Sequence, residues 1–171
     1  MGAVVTVPHQ SKVGVPQDPG PRTPDPGPGP WYADGLRFEC QRCGNCCTGE
    51  PGLTWVTPDE VTALARRLGM DEAAFRSRYT LDVWRQGVRR TTLRDRPAGK
   101  LGHACVFFQK GVGCTVYEDR PRQCGTWPFW RRVIATPEAW AQEAAECPGI
   151  NRGPVIPAEE IAAIAADDGL P

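Results

Sequence analysis

Serine and histidine are scarce in this sequence of 171 residues. Serine occurs only at Ser11 and Ser77, and neither lies in a context typical of a catalytic nucleophile, which disfavours serine hydrolase chemistry. His9 and His103 are the only histidines. We interpret His103 as an ordinary strand-end residue rather than a metal ligand or proton shuttle, although it lies two positions before Cys105.

Long apolar runs are also lacking. No stretch approaches the ~18 consecutive apolar residues of a membrane span, so we expect no membrane-spanning helix. The beginning of the sequence lacks the charged start and apolar run of a classical export signal, so we expect a cytoplasmic protein. The cytosol keeps thiols reduced, and eight cysteines there indicate metal or redox chemistry rather than disulfides.

The first thirty residues contain no cysteine and no aromatic residue, but they hold eight of the 18 prolines and five glycines. Such a segment cannot bury enough apolar surface to offset its ordering entropy. We therefore predict a disordered Pro/Gly-rich tail over residues 1–30, followed by one domain over residues 31–171.

Charge is balanced overall but unevenly spread. Residues 36–132 carry 17 basic and 10 acidic side chains, whereas residues 133–171 carry one basic and seven acidic side chains. A basic region can bind nucleic acid. We favour the alternative that arginines balance thiolates and an acidic C-terminal helix, and we do not expect nucleic acid as a partner.

Several segments carry the start signals of helices. Thr57 and Glu60 form a capping box around Pro58, and Asp71 can cap a second helix. Thr136 and Pro157 begin two later helices by the same logic.

Residues 88–93 and 104–108 have the composition of short strands, and residues 111–113 form a glycine turn that leads into Cys114. The sequence therefore predicts an α+β fold: a small irregular domain with several short helices and a short β-hairpin, held together by metal.

The eight cysteines fall into a tight group and a spread group. Three-residue spacing in a tight loop lets successive thiolates converge on one centre, as in zinc knuckles and ferredoxin loops. We predict that all eight are metal ligands: Cys40, Cys43, Cys46, Cys47, Cys105, Cys114, Cys124 and Cys147.

Cys46 and Cys47 are adjacent in sequence, and adjacent side chains usually diverge. They would bind metal most easily at different centres, unless one of them is a neighbouring redox thiol. Eight thiolates fill two four-sulfur sites, so we hypothesise two neighbouring centres with ligands from both groups. Spacing leaves open which cysteine joins which centre.

All-sulfur ligation suits both zinc and iron–sulfur clusters. The first three cysteines match a bacterial ferredoxin loop, but Cys47 follows Cys46 directly where that loop has a longer step. We rank zinc ahead of an iron–sulfur cluster. Eight thiolates and two divalent ions would leave four negative charges, which nearby arginines can neutralise by charge-assisted contacts. The candidates are Arg37, Arg42, Arg120, Arg122, Arg131 and Arg132.

The motif set resembles the YkgJ-type cysteine-cluster family. The motifs that carry the resemblance are Cys40-x-x-Cys43-x-x-Cys46-Cys47, the segment from Cys114 to Cys124, Trp127-Pro128-Phe129, and Cys147-Pro148-Gly149-Ile150. The sequence departs from that family at Val106, where proline is common, and at Gly125, where arginine is common. Neither departure removes a cysteine.

The resemblance implies a domain that chelates zinc or iron. Bacterial flagellin lysine methylases carry a related cysteine cluster, so the resemblance also raises an iron–sulfur-dependent enzyme as an alternative. No residue in the sequence is assigned a catalytic role on this basis.

Overall fold

The structure, a computed structural model, describes residues 29–169. The predicted tail therefore lies outside the described residues, except for its last two positions. Five α-helices are present in this part of the chain: α1 (Pro58–Arg67), α2 (Glu72–Tyr79), α3 (Arg122–Gly125), α4 (Pro137–Glu146) and α5 (Ala158–Ala166). No helix within residues 29–169 is both long enough and apolar enough to cross a membrane.

The strands are short, and most have two to six residues. They are β1 (Leu36–Phe38), β2 (Thr48–Gly49), β3 (Thr54–Trp55), β4 (Thr80–Arg85), β5 (Val88–Leu93), β6 (Asp95–Pro97), β7 (His103–Cys105), β8 (Phe108–Gln109), β9 (Gly113–Cys114) and β10 (Ile150–Ile156). Helices and small sheets are thus mixed along the chain, which confirms the predicted α+β class.

Local capping signals determine where the helices begin. The Thr57 side-chain hydroxyl accepts a hydrogen bond from Glu60 N at 3.2 Å. In turn, the Glu60 carboxylate accepts one from Thr57 N at 2.7 Å. Asp71 and Thr136 cap α2 and α4 in the same way, through a single side-chain oxygen. These contacts satisfy N–H groups that the first helical turn leaves without partners.

The strands form four small sheets. Their strand orders are β1-β10, β2-β7-β6, β3-β5-β4 and β8-β9, and all strand pairs are antiparallel. The predicted hairpin into Cys114 is present as β8-β9. The predicted strand over residues 104–108 is instead divided between β7 and β8, because Val106 and Phe107 leave the ladder.

The buried side chains form two separate cores. The Trp140 core contains Leu36, Phe129, Val133, Ile134, Trp140, Cys147, Ile150, Ile161 and Ala165. The Leu64 core contains Val56, Val61, Leu64, Ala65, Phe75, Leu93, Phe107 and Val116. Cys147 belongs to the first core, while Cys105 and Cys114 pack against the second. The cysteines therefore lie where the two cores approach each other.

Leu64 and Leu68 offer a matched test of the second core at one end of α1. Leu64 is 0% exposed and Leu68 is 38% exposed. We expect Leu64→Ala to lower the free energy of unfolding by about 2–5 kcal/mol, because it opens a cavity in the core. Leu68→Ala should cost about 1 kcal/mol or less. Urea denaturation of both variants checks this, and equal losses would contradict the burial of Leu64.

Candidate metal centre

All eight cysteines line one cavity of about 100 Å³. They come from five separated places in the chain, and within the described residues all eight are free thiols. Exposure varies from Cys40, Cys43 and Cys46 at the surface to Cys147, which is buried. The fold thus brings every predicted ligand to one place.

The first cysteine group lies on a loop with left-handed backbone at two positions. Arg42 has φ 53° and Gly44 has φ 84°. The chain then makes a single 3-10 turn over Asn45–Cys47, closed by a hydrogen bond from Cys47 N to Gly44 O at 2.8 Å. This winding lets closely spaced cysteines face the same cavity.

Two close approaches hold this loop against the β8-β9 hairpin. A Cβ atom added to Gly44 would lie 2.0 Å from the ring atom Cε2 of Phe108, so only glycine fits there. A Cβ on Gly113 would lie 3.0 Å from Arg42 O. Cys43 adjoins Arg42 and Gly44, and Cys114 follows Gly113, so these contacts hold the loop that carries Cys43 against the hairpin that carries Cys114.

Hydrogen bonds bring the segment around Cys147 to the same loop. Asn45 Nδ2 donates to Glu146 O at 2.6 Å. Glu39 N donates to Gly149 O at 3.1 Å. In one segment the bonded residues lie before and after Cys147, and in the other they lie within and just before the first cysteine group.

Cys105 and Cys124 are positioned from the opposite side. Thr48 pairs with Ala104 in the β2-β7 ladder, which places Cys105 next to the end of the cysteine loop. Gln123 is buried, accepts a hydrogen bond from Trp55 N at 2.7 Å and donates one to Leu53 O at 2.9 Å. These bonds fix the short helix α3 that carries Cys124.

Cys46 and Cys47 do not diverge, contrary to the sequence-based expectation. Their sulfur atoms lie 3.8 Å apart. The hydrogen bond from the Cys47 thiol lowers the pKa of Cys46 from 9.0 to about 7. The same bond, together with burial and repulsion from neighbouring thiolates, raises the pKa of Cys47 far above its usual range. Near pH 7 Cys46 is therefore about half ionised, while Cys47 keeps its proton.

The other central thiols favour the neutral state when no metal is present. Burial raises the pKa of Cys105 to about 11, and it raises the pKa of Cys114 and Cys124 as well. Repulsion between thiolates adds to each shift. Such a cluster can hold several thiolates together only if a cation offsets their charge.

Tyr117 lies at the cavity between two arginines. The guanidinium carbon of Arg42 is 4.1 Å from the centre of the Tyr117 ring, and that of Arg120 is 4.0 Å away. Burial and a side-chain hydrogen bond with Cys40 raise the pKa of Tyr117. Arg120 also lowers the pKa of Cys46 through its charge. This stack supplies positive charge and a hydroxyl donor beside the sulfur atoms.

The other four candidate arginines have partners away from the cavity. Arg37 donates to a backbone carbonyl, while Arg122, Arg131 and Arg132 pair with carboxylates. His103 pairs along the β2-β7-β6 sheet and is not among the residues that line the cavity. Of the six arginines, Arg42 and Arg120 alone line the cavity that the described chain forms.

The side chains are gathered but not yet in coordination geometry. Within residues 29–169, no three His, Cys, Asp or Glu side chains are arranged as they stand to hold a metal ion. Each cysteine sulfur turns about a single side-chain torsion, so its position depends on the rotamer as well as on the backbone.

Sequence reasoning missed the residues that bring the cysteines together. Gly44, Asn45 and Gln123 make contacts with residues far away along the chain. Gly44 carried a weak signal, since a glycine inside a tight cysteine loop often marks positive φ or close backbone approach. Nothing in the local sequence could point to the partners of Asn45 and Gln123.

The fold and the cavity define a small α+β protein with a cysteine cluster built from one tight loop and four remote cysteines. Residues 39–148 match the family described as "CxxCxxCC: putative zinc- or iron-chelating domain", and the chain belongs to that family. No solved structure matches the chain.

Gly44 and Gly69 allow the close approach to Phe108 to be tested. Both glycines have positive φ, but a Cβ on Gly69 would meet no atom within 4 Å. We expect Gly69→Ala to cost about 1–2 kcal/mol of unfolding free energy, from backbone conformation alone. Gly44→Ala should cost about 1–3 kcal/mol more, because the new methyl overlaps the Phe108 ring. Urea denaturation measures both, and equal costs would show that the overlap is relieved.

Cys46 should be the most reactive thiol of the reduced protein after brief treatment with a chelator. A pKa of about 7 leaves it half ionised at pH 7. Its initial rate with iodoacetamide should therefore fall to roughly a fifth between pH 7 and pH 6. Cys47 is the internal control, because its raised pKa keeps it protonated. Peptide mapping by mass spectrometry assigns the sites, and initial rates that are equal at the two cysteines would contradict the shared proton.

Proposed function

We propose that this protein binds zinc or iron through its eight cysteines, at two neighbouring centres inside the shared cavity. The observation that carries the proposal is that thiols from five separated places in the chain line one cavity of about 100 Å³. One water needs roughly 10–15 Å³ on the same measure, so there is room for more than a single ion.

The chemistry of the lining suits a thiophilic metal. No residue that lines the cavity within the described chain is an aspartate, a glutamate or a histidine. Hard cations such as Ca²⁺ and Mg²⁺ need oxygen ligands, whereas Zn²⁺ and iron–sulfur clusters accept all-sulfur sites. Arg42 and Arg120 supply compensating charge at the same cavity.

The contacts support one assignment of ligands to the two centres. Two thiolates on one tetrahedral zinc, with bonds of about 2.3 Å, lie roughly 3.8 Å apart. The sulfurs of Cys46 and Cys47 have this separation of 3.8 Å. Cys47 also interacts electrostatically with Cys105 and Cys124. We therefore group Cys46, Cys47, Cys105 and Cys124 as the first centre.

The remaining four cysteines form the second centre in this proposal. The packing of Arg42 against Gly113 places Cys114 next to the loop that carries Cys43, although Cys114 also interacts electrostatically with Cys46, Cys105 and Cys124 of the first centre. The hydrogen bond between Glu39 and Gly149 joins the segment that contains Cys40 to the segment that contains Cys147. Each pair is thus supported by a contact between its neighbours along the chain.

Zinc is our first choice, and an iron–sulfur cluster is the alternative. Two thiolates on one metal atom occur both at zinc sites and in clusters with two irons, so the Cys46–Cys47 spacing suits either. An iron–sulfur enzyme related to flagellin lysine methylases would use the same cavity. Anaerobic purification with elemental analysis separates the cases, since a zinc protein is colourless and a cluster is brown.

Paired cysteine variants test the grouping. We expect native mass spectrometry to find two ions per chain in the unmodified protein. Cys47→Ser and Cys124→Ser should each lose the same ion, and the double variant should lose no more than either single variant. Cys43→Ser and Cys147→Ser should each lose the other ion.

The release rate of the ion that remains is measured by competition with a chromogenic chelator. That rate, compared with the two rates of the unmodified protein, shows which ion the variant has lost. A single ion in the unmodified protein would refute the two-centre proposal. Loss of both ions from every single variant would instead show that the eight cysteines bind as one unit. Circular dichroism of each variant confirms that helix content is retained.

A further inference from the structure

The hairpin of β4 and β5 carries an unusual exposed surface. Leu81, Trp84 and Val88 are 43%, 72% and 50% exposed, and they are three of the eight large hydrophobic residues exposed in the described chain. Gln86 and Gly87, with φ 50° and 76°, form the two-residue turn at its tip. The hairpin is therefore a regular structure that presents apolar side chains to solvent.

One edge of this hairpin is open from Leu81 onward, whereas Thr80 at the start of β4 is buried and its N–H is bonded to Arg76 O. In the order β3-β5-β4, the strand β4 lies at the end and pairs only with β5 among the described residues. Edge strands of six residues are commonly blunted by proline, lysine or a bulge. Thr80–Arg85 contains neither proline nor lysine, and its register with β5 runs without a bulge.

The face that continues from this edge is apolar and basic. Leu81, Val83 and Arg85 alternate along β4, and Val88 and Arg90 lie beside them on β5. Arg85 and Arg90 form no ion pair within residues 29–169. A complementary strand would place apolar side chains beside Leu81 and Val83, and an acidic one beside Arg85.

The opposite face disfavours nucleic acid as the occupant. Trp84 could stack on a base, but Asp82 lies on the same face two residues away. Asp82 already holds Arg89 in an ion pair and accepts a hydrogen bond from Thr91. Arg89, the residue opposite Trp84 in the ladder, is therefore occupied, and a phosphate backbone would meet a carboxylate.

We propose that β4 is a docking edge for an extended polypeptide segment with alternating apolar and acidic side chains. The segment would add a fourth strand to the β3-β5-β4 sheet, with backbone hydrogen bonds to β4 and an ion pair with Arg85. This surface is distinct from the cysteine cavity, since none of its residues lines that cavity. Docking at β4 would not require a metal ion in the cavity.

A capped peptide, Glu-Thr-Val-Thr-Val-Thr-Glu, is the probe, because it reads the same in both strand directions. We expect it to protect the amides of β4 from hydrogen exchange in the full-length protein, and to bind less tightly as salt increases. Arg85→Glu should weaken binding at least about fivefold. Lys100→Glu, an exposed charge reversal away from the hairpin, should leave it unchanged.

Two control peptides separate the contributions of backbone and charge. The same peptide with proline in place of the central threonine should not bind, because it cannot continue the ladder. The same peptide with lysine in place of both glutamates should bind more weakly. Absence of β4 protection at millimolar peptide, or equal binding of the lysine peptide, would overturn the proposal. So would Trp84-dependent binding of a single-stranded oligonucleotide in preference to the peptide.

Discussion

The close contact between the cysteine loop and the β8-β9 hairpin is the constraint on which the rest of the site depends. Gly44 lies directly against the Phe108 ring, with no room for a side chain. The cysteines on either side of Gly44 can face inward only while the loop keeps its left-handed backbone at this position. Further contacts, from Asn45 and from the β2-β7 ladder, connect other segments to the same loop.

The electrostatics of the cluster oppose the same convergence. Thiols that are gathered in a partly buried cavity resist ionisation, which the raised pKa of Cys105 and Cys124 shows. Within the Cys46–Cys47 pair, the proton on Cys47 stabilises a thiolate on Cys46, and the positive charge of Arg120 lowers the pKa of Cys46 further. The protein thus concentrates sulfur without accumulating charge, and binding of a cation then exchanges protons for metal.

Sequence reasoning succeeded where the physical signal is local. The caps at Thr57, Asp71 and Thr136 act within one helical turn, so they can be read from neighbouring residues. Sequence reasoning did not find strand β10. This strand contains glycine and proline, and it pairs with β1, which lies more than a hundred residues away along the chain. The cysteines could be named as candidates from spacing, whereas their arrangement depends on contacts between remote segments that no local pattern encodes.

The pairing of β1 with β10 has a consequence for how the family should be delimited. The matched segment ends at residue 148, but four of the nine buried residues of the Trp140 core lie outside residues 39–148. They are Leu36, Ile150, Ile161 and Ala165. A fragment cut at the matched boundaries would keep every cysteine and yet lose one wall of the core against which Cys147 packs. The cooperative unit in this chain is therefore longer than the motif by which the family is recognised.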